Sequence, residues 1–122
     1  MSWRIGNHGF EMGLSRRVPE LLRAHTRAWI EPWLAGHGLG TRDVGSWAVH
    51  PGGPSIITAV QQSLALDDQK VELSRRILRD HGNMSSPTVL FILDALMHAN
   101  ARRPWVTLAF GPGLAGEAML LA

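Results

Sequence analysis

The chain of 122 residues contains no cysteine. That absence excludes a disulfide framework, a cysteine-bearing zinc site and a cysteine nucleophile within these residues. No stretch approaches the roughly 18 apolar residues a membrane-spanning helix needs. The first residues show no basic region followed by an apolar run, so no signal peptide is read, and the expected location is cytoplasmic. Internal repeats and low-complexity segments are missing too. Charge of one sign is scarce: 12 Lys+Arg stand against 10 Asp+Glu, a net +2. The pI of 10.4 reflects arginine chemistry, since Lys70 is the single lysine. Without a basic stripe, no nucleic-acid partner is expected, although arginines near a site mouth can attract a phosphate-bearing small molecule. No two histidines lie three or four apart, so no helical metal pair exists and no metal site is expected. What remains is 45% hydrophobic, too apolar for general disorder and sufficient for the core of one domain.

Strand-like spacing places Trp3, Ile5, Phe10 and Met12 in extended segments interrupted by glycines. Pro19 suits the first turn of a helix, whose stripe reads Leu21, Leu22, His25, Ala28, Trp29 and Trp33, with Pro32 expected to kink or end it. The segment from Val44 to His50 reads as a short buried strand running into Pro51-Gly52-Gly53-Pro54. A helix with Ile56, Ile57, Val60 and Leu64 facing inward follows. The next opens at an Asp67 or Asp68 cap, carries Val71, Ile77 and Leu78, gains a Glu72–Arg76 pair, and ends at a left-handed Gly82. Ser86 and Pro87 form a cap and first-turn pair for a helix apolar around most of its circumference, which is therefore expected to be central. The strand WVTLAF, the turn Gly111-Pro112-Gly113 and the strand GEAMLLA close the chain. Helices alternating with strands and ending in a hairpin predict an α/β fold with a mixed sheet.

Two residues stand out for chemistry. His50 ends a buried strand before a glycine turn, where α/β sheets bind ligands and glycines admit a close approach to the backbone. Its plainer reading is a hydrogen-bonded strand-end histidine. Asn83 follows a glycine and precedes a helix, where asparagine is most often a cap or turn former. Ser85 and Ser86 read as caps rather than nucleophiles. The tryptophans read as core, and His8, His25, His37, His81 and His98 as structural or exposed. Arg102 and Arg103 read as a solvated loop. Asp94 and Glu117 read as isolated carboxylates that form no acid/base pair.

Three segments in order, WAVHPGGPSIITAVQQSLAL, HGNMSSPTVLFILDAL and AFGPGLAGEAMLL, are more specific together than any one alone. The chain resembles the C-terminal region of type III polyketide synthases, the chalcone and stilbene synthase family, from about Trp3 to Ala122. Its opening, GFEMGLSRRVP, is more similar to bacterial members than to plant ones. The resemblance implies the C-terminal half of a thiolase-like fold, a mixed sheet packed with helices, in subunits that form homodimers. It implies an acyltransferase that decarboxylates malonyl-CoA and condenses the two-carbon unit onto a cysteine-bound acyl chain delivered by an acyl-CoA starter. The coenzyme A thioesters are substrates, and no cofactor is implied. His50 corresponds to the family's catalytic histidine and Asn83 to its asparagine. Phe110, Gly111, Pro112 and Gly113 resemble the loop shaping the cyclisation pocket, with Ser85 beside it. Gly52 and Gly53 would border the coenzyme A tunnel, and Phe10 or Met12 the pocket wall.

The chemistry is consistent with those roles. Loss of carbon dioxide from a malonyl thioester leaves an enolate, and two fixed donors aimed at its oxygen stabilise it. Removing one such donor typically costs about 3–4 kcal/mol of barrier. An imidazole also keeps a neighbouring thiolate nucleophilic near neutral pH. The family's cysteine belongs to the N-terminal half, so the expectation is that residues 1–122 form a C-terminal-like domain beginning at an internal position of the family pattern. Such a piece is predicted to be inactive alone and to behave poorly, because it exposes apolar surface. Ala109 stands where glycine commonly precedes the FGPG turn, and Ala115 replaces a commonly hydroxylated position. Two alternatives remain: a condensing-enzyme half of the fatty-acid-initiation ketoacyl synthase type, which HPGGP and FGPG disfavour, and a non-catalytic remnant that binds a partner half.

Overall fold

The computed structural model describes residues 2–7, 9–13 and 15–122. The side chains of Phe10 and Met12 and the whole of His8 lie outside the described residues. In order, the elements are β1 (Ser2–Gly6), β2 (Gly9–Gly13), α1 (Val18–Gly36), β3 (Ser46–Val49), α2 (Pro54–Leu64), α3 (Asp68–His81), α4 (Pro87–His98), β4 (Trp105–Gly111) and β5 (Ala115–Leu121). β1 and β2 form an antiparallel hairpin whose backbone register pairs Trp3 with Met12 and Ile5 with Phe10. The main sheet has the order β3-β4-β5, with β3 parallel to β4 and β4 antiparallel to β5. It is the mixed α/β sheet that the alternation of elements predicts.

Most of the core lies between this sheet and α1, α2 and α3. Trp47 and Val49 of β3 and Val106 and Leu108 of β4 pack with Ile57, Val60, Leu64 and Val71 from α2 and α3, and with Ile30 and Leu34 from α1. Gly45 leads into β3 so close to the neighbouring chain that an added Cβ would stand 1.9 Å from the Arg102 carbonyl oxygen. α3 closes the outer edge of β3 with side chains. Ser74 Oγ accepts the Val49 N–H at 3.0 Å and donates to the Trp47 carbonyl at 3.4 Å. Lys70 Nζ donates to the carbonyls of Val44 and Gly45. An unpaired strand edge is otherwise open to further pairing.

Several local expectations are corrected. The buried line of α1 is Val18, Leu22, Thr26, Ile30 and Leu34, four residues apart throughout. Trp29 and Trp33 flank it half-buried, and His25 and Ala28 face solvent. The helix continues through Pro32, which is exposed, so the backbone bond it forgoes lies toward water. Asp67 and Ser86 occupy N-cap positions without making side-chain cap bonds. Asp68 instead accepts a hydrogen bond from Gln61. Gly82 has positive φ with an extended ψ rather than the left-handed helical conformation. Among the described residues Glu72 and Arg76 form no ion pair, whereas Arg27 and Glu31 do, and His98 Nδ1 lies 2.9 Å from the Asp94 carbonyl oxygen. Arg103 is more than solvated loop, since its guanidinium lies 4.1 Å from the Trp105 ring centroid. α4 is not central: Ile92 and Leu96 are buried, but Leu90, Phe91 and Met97 are 66%, 45% and 61% exposed. Its apolar circumference exceeds what the sheet and α3 can cover.

Candidate functional site

β3 delivers His50 to its site. The His50 N–H donates to the Leu108 carbonyl at 2.7 Å, extending the β3–β4 ladder by one residue. The chain then turns, with the Gly52 N–H donating to the His50 carbonyl at 3.1 Å. The imidazole is half-buried, and its Nδ1 is enclosed without a hydrogen-bond partner among the described residues. Burial pushes its pKa below the ordinary 6.5, because desolvation penalises the charged ring. The neutral ring offers one N–H donor and one acceptor.

The loop between α3 and α4 delivers Asn83. The Ser85 N–H donates to Asn83 Oδ1 at 2.9 Å, and Ser85 itself has φ of 63°. Because a backbone N–H must face an acceptor, this bond identifies the amide oxygen and leaves the Asn83 NH₂ group as the free donor. Thr88, which is buried in the first turn of α4, ties down the loop before it, with its Oγ1 accepting the Met84 N–H at 2.9 Å.

The β4–β5 hairpin supplies the opposite wall. Pro112 to Leu114 form a short 3₁₀ turn, in which Gly113 has φ of 73° and needs a residue without Cβ. Phe110 is braced edge-on by Trp29, with ring centroids 6.4 Å apart. Trp29 in turn lies so close over Gly116 that a Cβ there would be 2.8 Å from its ring.

These elements enclose a cleft of about 720 Å³. His50, Gly52, Asn83, Ser85, Phe110, Gly111 and Pro112 all line it. Gly53 and Gly113, expected with them, do not. Sequence reasoning missed Val18, Ile56, Val89 and Leu114, which form its apolar lining, and Ser86 and Glu117, which add polar groups. Ile56 and Val89 were placed on helices, but their orientation toward a cavity follows only from how the helices pack. Glu117 has no charged partner among the described residues, but it lines the cleft. It stands opposite Ala109 in the β4–β5 register, and that register carries it into the cleft. Among the described residues no group of three or more His, Asp or Glu side chains is placed to hold a metal ion. No described helix is long and apolar enough to cross a membrane.

Residues 1–122 match the C-terminal domain of chalcone and stilbene synthases. The chain belongs to the chalcone and stilbene synthase family. It is 40% identical to the 1,3,6,8-tetrahydroxynaphthalene synthase of Streptomyces peucetius subsp. caesius, an alignment covering 99% of this chain and 33% of that protein. It is 33% identical to a putative chalcone synthase of Bacillus subtilis (strain 168), over 100% of this chain and 34% of that protein. Its fold superposes on the crystal structure of PKS-I from the brown alga Ectocarpus siliculosus with a TM-score of 0.92 and 29% identity, over 98% of this chain and 34% of that one. This chalcone and stilbene synthase family chain therefore has the mixed α/β architecture of a thiolase-like half. It spans about a third of the length of the relatives it matches.

Proposed function

We propose that this chain is the histidine- and asparagine-bearing part of a type III polyketide synthase acting on malonyl-CoA and an acyl-CoA starter. The observation carrying this reading is the convergence of His50 and Asn83, from two separate turns, on one largely apolar cleft. Membership of the family supplies the chemical context. The Asn83 NH₂, held by the Ser85 N–H on its oxygen, is a preorganised donor. His50, neutral because burial lowers its pKa, donates through its ring N–H. Together they would stabilise the thioester enolate oxygen that forms as carbon dioxide leaves. The partial burial of His50 would strengthen its bond by lowering the local dielectric.

The nucleophile that carries the acyl chain must come from residues outside this chain, which has no cysteine. On this reading the partners are a cysteine-bearing N-terminal half and a second subunit. The chain alone is inactive, and the enzyme is cytoplasmic.

Mixing the chain with a separately prepared N-terminal half and measuring carbon dioxide release from malonyl-CoA tests the reading. Activity should appear only in the mixture. It should fall about 100- to 1000-fold in His50→Ala and in Asn83→Ala. Undiminished activity in both variants would defeat the assignment.

A further inference from the structure

Among the described residues lining the cleft, Glu117 alone carries a formal charge, given a neutral His50. No described lysine or arginine pairs with it. Around it the walls are apolar, formed by Val18, Ile56, Val89 and Phe110. The polar groups facing them are the Asn83 amide and the hydroxyls of Ser85 and Ser86. The cleft thus holds neutral donors and one anionic acceptor but no cation. Glu117 is exposed at the mouth of the cleft, so a ligand that retains a carboxylate meets like charge there, partly screened by water and salt. A neutral ligand bearing hydroxyl groups meets an ionised acceptor, which makes the stronger kind of hydrogen bond.

We propose that Glu117 is the charge-discriminating residue of the cleft, disfavouring carboxylate ligands and accepting a hydrogen bond from neutral hydroxylated ones. This rests on the cleft being a ligand site and is independent of the condensation chemistry proposed above. In a decarboxylating enzyme the consequence is directional, because a bound group that has shed its carboxylate fits better than one that keeps it.

The test is titration of the full chain with para-hydroxybenzamide and para-hydroxybenzoate, two probes of one shape and different charge, followed by ligand-detected NMR. An apolar cleft already favours the neutral probe, so the informative quantity is the change in preference on substitution. Glu117→Gln should cut the benzamide preference by about two- to fivefold, mainly by strengthening benzoate binding. Glu117→Asp should keep most of the preference, and added salt should shrink it in the unmodified chain only. An equal preference in the unmodified chain and Glu117→Gln would overturn the role of Glu117. Failure of both probes to bind the unmodified chain would overturn the cleft as a site for such ligands, and the proposal with it. Neither result bears on carbon dioxide release by the mixed halves, which separately tests the condensation reading.

Discussion

α2 and α4 are both short, strongly apolar helices introduced by a proline at the first turn, yet they meet different fates. α2 buries Ile56, Ile57, Ala59, Val60 and Leu64 between the sheet and α1. α4 buries Thr88, Ile92 and Leu96 and leaves Leu90, Phe91 and Met97 in solvent. Composition cannot tell these helices apart. What separates them is whether the described chain supplies a second surface. α2 lies where α1 can reach it, whereas on the outer side of α4 Leu90 and Met97 stay exposed and Phe91 is half-exposed, its ring 5.7 Å from that of His81 at the end of α3. The exposed row on α4 marks a face that these residues by themselves do not cover, and the share of each relative that the chain spans agrees with that reading.

The largest expected contrast comes from truncating one residue on each helix. Ile57→Ala should destabilise the chain by about 2–5 kcal/mol through lost burial and a cavity. Leu90→Ser, a larger chemical change, should stay within about 0.5 kcal/mol of the unmodified chain. Denaturant titration measures both, and equal losses at the two positions would erase the distinction. A smaller effect follows from His50, at the entrance to α2. Its folded-state pKa lies below the ordinary 6.5, so the unfolded chain binds the proton more readily. Its contribution to stability is therefore complete above about pH 6.5, and it is lost as pH falls from there toward the lowered folded value. Replacing His50 with Asn should flatten that slope in a series of melts against pH. The smallest effect, on solution behaviour, is expected from Leu90→Ser combined with Phe91→Ser. Light scattering should show less self-association than in the unmodified chain, and unchanged association would mean that α4 is not the adhesive face.

Much of this architecture was legible in advance, and the failures have physical causes. Ile56, Ile57, Val60 and Leu64 form an unambiguous helical stripe, and all four are buried. In α1 the tryptophans drew the expected stripe toward Trp29 and Trp33. The true line runs through Thr26, a polar residue buried at 2% exposure, which hydrophobic periodicity alone does not mark. The exposure of α4 was illegible because a pattern shows which residues are apolar and not what covers them. The cleft was partly readable, since glycine-flanked turns point to places where chains approach ligands; His50 stood out on that ground, whereas Asn83 read locally as a turn former and gained a role through the family resemblance. Glu117 was not readable: the β4–β5 hairpin was legible, but which of its residues border a cavity depends on the elements packed around the sheet, which no local segment encodes. The orientation of the Asn83 amide was equally hidden, as it follows from the loop that brings the Ser85 N–H onto its Oδ1.

The side chains that α3 lays along β3 have a consequence for assembly. With Ser74 and Lys70 occupying that border, the three-stranded sheet can grow only beyond β5. A fibril needs two sticky borders on every unit, one to receive and one to offer. A unit with a single such border can join one other and then stop, so strand-to-strand contact through this sheet has a stoichiometry of two.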